Sequence, residues 1–159
     1  MGFAEGSEIQ LVVFKLGNEE YGVPITQVKE INRLTNTTKV PKSPEFVEGI
    51  INLRGQIIPI IDLKKRFDLE LTEYTGEARI IVIQVAHHTF GVKVDAVSEV
   101  LRISTDTIEN APDIVSGIDA RYITGVAKVG ERLLILLDLD KLLTDEEKVE
   151  LSEIHNEAV

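Results

Sequence analysis

The sequence contains two related copies of one unit. When the chain is shifted by 69 positions, residues 8–36 fall on residues 77–105, and the apolar positions Ile25, Val28 and Ile31 each meet a valine. The identical pairs are Glu8 and Glu77, Val13 and Val82, Gly22 and Gly91, Val23 and Val92, Val28 and Val97, Glu30 and Glu99, and Arg33 and Arg102. A repeat decides how every other pattern is interpreted, so we expect each copy to form one structural unit.

A second block of similarity appears at an offset of 76. The related positions are Val47, Gly49, Leu53, Asp62, Leu63 and Lys65, which fall near Ile123, Gly125, Val129, Asp138, Leu139 and Lys141. The larger offset places seven extra residues in the second copy, in the polar stretch 106–121. The repeat therefore predicts a first barrel over residues 8–70 and a second over 77–143.

Each copy opens with an alternating, β-branched segment that predicts a strand, followed by a turn and a second short strand. The three-residue spacing of Ile25, Val28 and Ile31 then predicts one or two helical turns, with Pro24 at the first helical position. Residues 49–53 and 57–61 predict two strands joined by a tight turn.

A short helix is expected to end each copy. Asp62 is the predicted N-cap in the first copy, and Asp138 in the second. After the second copy, Thr144 and Glu147 form a capping-box pattern, and an apolar face predicts a C-terminal helix over 144–158. A solvated tail after Glu153 is the alternative for that last segment.

The fold class is therefore mainly β, with two pseudo-symmetric five-stranded barrels, short connecting helices and a C-terminal helix. Closure into a barrel removes the exposed edges of so small a sheet. A single two-layer sandwich of all ten strands is the alternative architecture.

Composition excludes several functional classes. The net charge of −10 repels nucleic-acid phosphate and anionic lipid, so neither is an expected partner. The chain has no cysteine, which excludes disulfides, thiolate catalysis and cysteine metal sites. No apolar run approaches the roughly 20 residues that cross a bilayer, and the N-terminus lacks the pattern of a signal peptide. We expect a cytoplasmic protein.

No arrangement of residues predicts chemistry. His87 and His88 are adjacent at a predicted turn, so their side chains are poorly placed to share a metal ion. No nucleophile-elbow or phosphate-binding loop occurs. Asp138 and Asp140 bracket a helix start, where capping explains them better than metal binding. We therefore predict no catalytic residue, no cofactor, no metal site and no enzymatic activity.

Arg54 is the residue that stands out on the predicted surface. It lies at a hairpin tip between two strongly apolar strands, and its planar guanidinium makes directed bonds to carboxylates and carbonyls. An ordinary solvated turn arginine is the simpler interpretation. The second copy has Lys128, Val129 and Gly130 instead, which suggests that the two copies have diverged. Glu30 is a second surface candidate, although its recurrence as Glu99 favours a structural role.

Four segments of the chain form a recognisable pattern: PEFVEGIINLRGQIIPIIDL from Pro44 to Leu63, EEYGVPITQVKEI from Glu19 to Ile31, FGVKVDAVSEVLRI from Phe90 to Ile103, and YITGVAKVGERLLILLDLDKLL from Tyr122 to Leu143. Together they resemble the CheW family of bacterial chemotaxis coupling proteins. The resemblance covers nearly the whole chain and implies a single CheW-like domain over 1–159, built from two SH3-like barrels with a hydrophobic seam.

The resemblance also implies a function. Members of the family are non-enzymatic adaptors that couple the cytoplasmic tips of methyl-accepting chemoreceptors to the regulatory domain of the histidine kinase CheA, in arrays that touch the membrane only through the receptors. By the same resemblance, the receptor-binding side includes Val28, Glu30, Asn52 and Arg54. A sensor that binds a small molecule in the cleft between the barrels is the alternative function.

Overall fold

The computed structural model describes residues 6–110, 114–115 and 118–149, and the chain is mainly β-structure over this range. The strands are β1 (Glu8–Leu16), β2 (Glu19–Pro24), β3 (Val28–Arg33), β4 (Val47–Leu53), β5 (Gln56–Asp62), β6 (Arg79–Val85), β7 (His88–Val94), β8 (Ala96–Ser104), β9 (Ile108–Glu109), β10 (Ile114–Val115), β11 (Ile118–Asp119), β12 (Ile123–Val129) and β13 (Arg132–Leu137). The α-helical segments are α1 (Leu63–Arg66) and α2 (145–149). The 3₁₀ turns are Ile25–Gln27, Thr105–Thr107, Ala120–Tyr122 and Leu139–Lys141.

The strands form two main sheets, which confirms the mainly β fold class. One sheet has five strands in the order β3-β6-β7-β5-β4, and the other has six in the order β8-β1-β2-β13-β12-β9. The sixth strand, β9, has two residues and lies in the extra segment of the second copy, as does the small β10–β11 hairpin.

Each sheet curls towards a barrel, because the strands at its two edges come together. In the six-stranded sheet, the edge strands β8 and β9 are joined by the three-residue turn Thr105–Thr107. In the five-stranded sheet, the edge strand β3 is reached by the tip of the β4–β5 hairpin, where Arg54 pairs with Glu30.

Among the described residues, the buried apolar side chains form three clusters. One is made by Leu11, Val13, Ile103, Ala127, Leu134 and Leu136 of the six-stranded sheet. A second is made by Ile51, Ile58, Ile60, Ile80 and Val82 of the five-stranded sheet. The third and largest contains side chains of both sheets, including Val12, Phe14, Tyr21, Ile81 and Val92, and forms the seam between them. Alternate residues of β1 therefore enter two different clusters, which is why the strand is apolar on both faces.

The boundaries of the sheets differ from those of the sequence copies. The β1–β2 hairpin of the first copy pairs with β8 and β13 of the second, and the β6–β7 hairpin of the second copy pairs with β3 and β5 of the first. Neither of the segments 8–70 and 77–143, which were expected to form one barrel each, supplies all the strands of one sheet. The two copies have exchanged their opening hairpins.

The expected helix after the first hairpin is largely a strand. Only Ile25–Gln27 form a helical turn, of the 3₁₀ type, and β3 begins at Val28. Pro24 is not the first helical residue but the extended residue before the turn, with φ of −60° and ψ of 131°. The three-residue spacing that suggested a helix arises because a single turn is followed by a strand with a bulge between Val28 and Glu30.

The predicted caps are confirmed. The carboxylate of Asp62 accepts hydrogen bonds from the backbone N–H groups of the first residues of α1, and Asp138 caps the 3₁₀ turn that follows β13. The hydroxyl of Thr144 accepts from the N–H of Glu147 at 3.1 Å, while the Glu147 carboxylate accepts from the N–H of Thr144 at 2.8 Å. This capping box starts α2; the apolar residues Leu151, Ile154 and Ala158 lie outside the described residues.

Two charged side chains of α1 tie the barrels together. The Lys64 ammonium is buried and donates to Asp95 Oδ1 at 2.7 Å and to the carbonyl and hydroxyl oxygens of Thr72 at 3.0 Å. Arg66 donates both ends of its guanidinium to the Glu147 carboxylate, at 2.7 and 3.0 Å, which anchors α2. The short helix therefore connects the end of β5 to segments that flank the six-stranded sheet.

Candidate protein-interaction surface

The β4–β5 turn holds Arg54 in a fixed position. Arg54 and Gly55 both have positive φ values, 51° and 86°, as a two-residue type I′ hairpin turn requires. The side chain of Asn52 accepts a hydrogen bond from the N–H of Gly55 at 2.8 Å, which closes the turn from within. Asn52 thus stabilises the turn, and the Arg54 side chain projects from it with 71% of its surface exposed.

Glu30 holds the guanidinium of Arg54 against the edge strand β3. One carboxylate oxygen pairs with Arg54 Nη2, and the other accepts from Asn32 Nδ2 at 2.9 Å. The hydrogen bond from Arg54, followed by that from Asn32, holds the pKa of Glu30 below its ordinary value. The arrangement orients the arginine and leaves most of its N–H donors accessible.

The four residues expected on the receptor side thus occupy different environments. Arg54 and Glu30 are in contact, and Asn52 lies in the same turn. Val28 packs half-buried against the seam between the sheets. Ile31 is exposed beside Glu30 on β3 and was not selected from the sequence, because its apolar spacing had assigned it to a helix core.

The second copy contains a related ion pair that was not predicted. Arg132 Nη2 donates to Glu99 Oε2 at 2.8 Å, and the same guanidinium makes two bonds to the Glu20 carboxylate at 2.8 and 3.0 Å. Glu99 is the repeat counterpart of Glu30, and the pairing of Val13 with Glu99 repeats that of Val82 with Glu30. The sequence signal was the recurring glutamate, because Arg132 lies two positions beyond Gly130, the position that corresponds to Arg54.

Arg54 and Arg132 differ in the number of carboxylates that bind them and in their exposure. Arg132 is held by two carboxylates, and its side chain is 39% exposed. The hydrogen bonds to Glu20, and then to Glu99, raise the pKa of Arg132, while the bond from Arg132 lowers the pKa of Glu20. Among the described residues Arg54 pairs with one carboxylate, and it is the more exposed of the two arginines. The surface around Arg54 is therefore better suited to bind another molecule than the surface around Arg132.

Within residues 6–110, 114–115 and 118–149, no group of three or more histidine and carboxylate side chains is placed to hold a metal ion. Over this part of the chain there is also no helix long and apolar enough to cross a membrane. His88 begins β7 and His87 lies in the preceding turn, one position from where the turn was predicted; His155 lies outside the described residues.

Comparisons with known proteins agree with the geometry. Residues 10–147 match the family described as the CheW-like domain. The chain is 40% identical over 138 residues to the chemotaxis protein CheW of Klebsiella aerogenes, and the aligned region covers 87% of this chain and 83% of that protein. It is 38% identical over 151 residues to the chemotaxis protein CheW of Treponema pallidum, covering 92% of this chain and 89% of that protein.

A solved structure supports the same assignment. The crystal structure of the scaffolding protein TtCheW from Thermoanaerobacter tengcongensis superposes with a TM-score of 0.82 at 39% sequence identity, covering 93% of this chain and 96% of that one. The similarity therefore extends over both barrels and the exchanged hairpins. The chain belongs to the CheW-like family.

Proposed function

We propose that this protein is a non-enzymatic chemotaxis adaptor, which acts in the cytoplasm and couples the tips of chemoreceptors to the regulatory domain of the histidine kinase CheA. The names of its relatives, chemotaxis proteins and a scaffolding protein, support a role in chemotaxis signalling. Its contact with the membrane is indirect, through the receptors.

The observation that carries the proposal is the exposed, oriented guanidinium of Arg54. A turn closed by Asn52 and an ion pair with Glu30 fix its position, so little side-chain entropy is lost when it binds. An arginine held in this way is a frequent centre of binding energy at protein interfaces. Its free N–H donors suit a carboxylate, an amide oxygen or a main-chain carbonyl at a receptor tip.

The contributions of the other three residues follow from their contacts. Glu30 orients Arg54, and Asn52 keeps the turn closed, so both act on receptor binding through Arg54. Val28 supports β3 from the seam side, and substitution there alters packing as well as binding. The kinase is expected to bind elsewhere, which allows both partners to be held at once.

The test is isothermal titration of the purified chain with a receptor cytoplasmic fragment and, separately, with the CheA regulatory domain. Arg54→Ala should weaken receptor binding by about tenfold, or ~1.4 kcal/mol, and leave kinase binding and the urea unfolding midpoint unchanged. Arg121→Ala is the matched control, because Arg121 is similarly exposed and pairs with Asp119 at 3.6 Å. Unchanged receptor affinity of the Arg54 variant would show that the tip is not the recognition group.

A further inference from the structure

A cavity of about 460 Å³ opens where the β1–β2 turn meets the segment between α1 and β6. It lies away from the β4–β5 turn and takes no part in the receptor-binding surface proposed above. Both Lys64 and Asp95 line it, so the buried ion pair that joins the barrels forms part of its wall. Leu16 and Leu69 supply apolar surface.

The cavity is rich in unneutralised carboxylates. Glu19, Glu70, Glu73 and Glu77 line it and are exposed, and among the described residues none of the four forms an ion pair. The Lys64 ammonium is already matched by Asp95, which leaves the exposed Lys15 as the single unmatched cation among the residues that line the cavity. The field inside the cavity therefore favours a positive ligand.

Tyr21 provides an independent indication of a ligand. Its side chain is fully buried and lines the cavity, and its hydroxyl has no hydrogen-bond partner among the described residues. Tyr21 lies two positions from Glu19 on β2, so the two side chains are on the same face of the strand, and both residues line the cavity. An unpartnered buried hydroxyl is unfavourable and rare in folded proteins.

The fold does not require this hydroxyl. The repeat counterpart of Tyr21 is Phe90, which is equally well buried in the same seam without a polar group. Burial also raises the pKa of Tyr21, and the nearby Glu19 adds to the effect, so the group remains a neutral phenol. A neutral phenol oxygen can accept a hydrogen bond from an N–H donor.

We propose that the cavity binds an organic cation, an alkylammonium or guanidinium group on an aliphatic stem. The stem packs against Leu16 and Leu69, the charge lies among the carboxylates, and one N–H donates to the Tyr21 hydroxyl. Two sources share this chemistry: a free polyamine, and a lysine or arginine side chain of another protein.

The test is a titration of the ¹⁵N-labelled chain, followed by chemical shifts at constant ionic strength, with spermidine in one arm and the capped peptide acetyl-Gly-Arg-Gly-amide in the other. Saturable shifts confined to the residues that line the cavity, in 15–21, 64, 69–77 and 95–96, support the site, and the arm in which they appear identifies the source. Shifts that spread over the surface without saturating in both arms overturn the proposal.

Variants separate a built site from a general attraction of cations. Tyr21→Phe should weaken binding of the active probe at least fivefold, and Glu73→Gln about threefold, whereas Glu8→Gln at the far end of β1 removes the same charge and should change nothing. Equal affinities of the parent and Tyr21→Phe overturn the role of the hydroxyl. If that variant does not fold, equal losses in Glu73→Gln and Glu8→Gln overturn the site. Neither result bears on receptor coupling through Arg54.

Discussion

Removal of the negative partner of Lys64 is expected to destabilise the protein more than removal of Lys64 itself. The Lys64 side chain is 2% exposed, and the Asp95 side chain is 19% exposed. In the parent, the N–H of Gly17 donates to Asp95 Oδ2 at 2.7 Å, and in Asp95→Asn the amide oxygen can still accept this hydrogen bond. The Lys64 ammonium, however, is left without its counter-ion. Stranding one charge of a buried pair costs about 3–5 kcal/mol, and the partial exposure of Asp95 places this case near 3 kcal/mol.

The converse substitution leaves the exposed partner behind. In Lys64→Met the side chain keeps its apolar volume, Asp95 retains its bond to Gly17, and water can reach the carboxylate. The contact of the Lys64 ammonium with the Tyr74 ring, 3.8 Å from its centroid, is lost. We expect a cost of about 1–2 kcal/mol for this variant.

Urea unfolding of both single variants and of the double variant measures these costs. The double variant should be about as stable as Lys64→Met alone, because no uncompensated buried charge remains. The coupling energy should therefore equal the cost of Asp95→Asn, about 3 kcal/mol. Lys128→Met is the control, since the pair it forms with Glu109 is exposed on both sides and should change stability by about 0.5 kcal/mol or less. If Asp95→Asn proves milder than Lys64→Met, the ammonium has other compensation and the reasoning fails.

Three further predictions follow from the two copies. A β carbon added at Gly91 would lie 2.6 Å from the nearest atom of a neighbouring side chain, whereas at the equivalent Gly22 the distance would be 3.1 Å. In urea unfolding, Gly91→Ala should therefore cost about 2–3 kcal/mol and Gly22→Ala about 1 kcal/mol, and equal costs would contradict this. The hydrogen bond from Arg132 lowers the pKa of Glu20 in the folded protein. The stabilisation from this carboxylate is therefore present above the pKa of glutamate in the unfolded chain and is lost as the pH falls. Between about pH 7 and pH 3 the unfolding free energy of the parent should fall by more than that of Glu20→Gln. Because the hairpins are exchanged, a chain cut at an engineered site at Gly76 should stay associated in gel filtration, and separation of the fragments would refute the exchange.

Much of the fold could be predicted because its strands and caps depend on local patterns in the sequence. Strand alternation, the caps at Asp62 and Asp138, and the capping box at Thr144 depend on residues close in sequence. The exchange of hairpins could not be predicted, because the apolar pattern of a strand is the same whether its partner lies in its own copy or in the other. The Ile25–Ile31 segment was assigned wrongly because a 3₁₀ turn and a bulged strand together mimic helical spacing.

Only part of the candidate site could be predicted from the sequence, because its contacts join residues that are far apart along the chain. Arg54 stands out in its hairpin, whereas its contact with Glu30 joins opposite edges of a curled sheet and has no local signal. The role of Arg132 was missed because its two carboxylates come from β2 and β8, far from it in sequence.

Besides the different position of the arginine, one further difference between the two copies concerns its carboxylate partners. Glu20 in β2 corresponds to Thr89 in β7, since the pairing of Lys15 with Glu20 repeats that of Gln84 with Thr89. In the six-stranded sheet the second carboxylate completes the set around Arg132. In the five-stranded sheet Thr89 provides no charge, and within the part of the chain that the structure describes Arg54 pairs with Glu30 alone and keeps most of its surface exposed. The recurring glutamate thus takes part in a set of two carboxylates around Arg132 in one barrel, whereas in the other it orients an arginine that stays largely exposed.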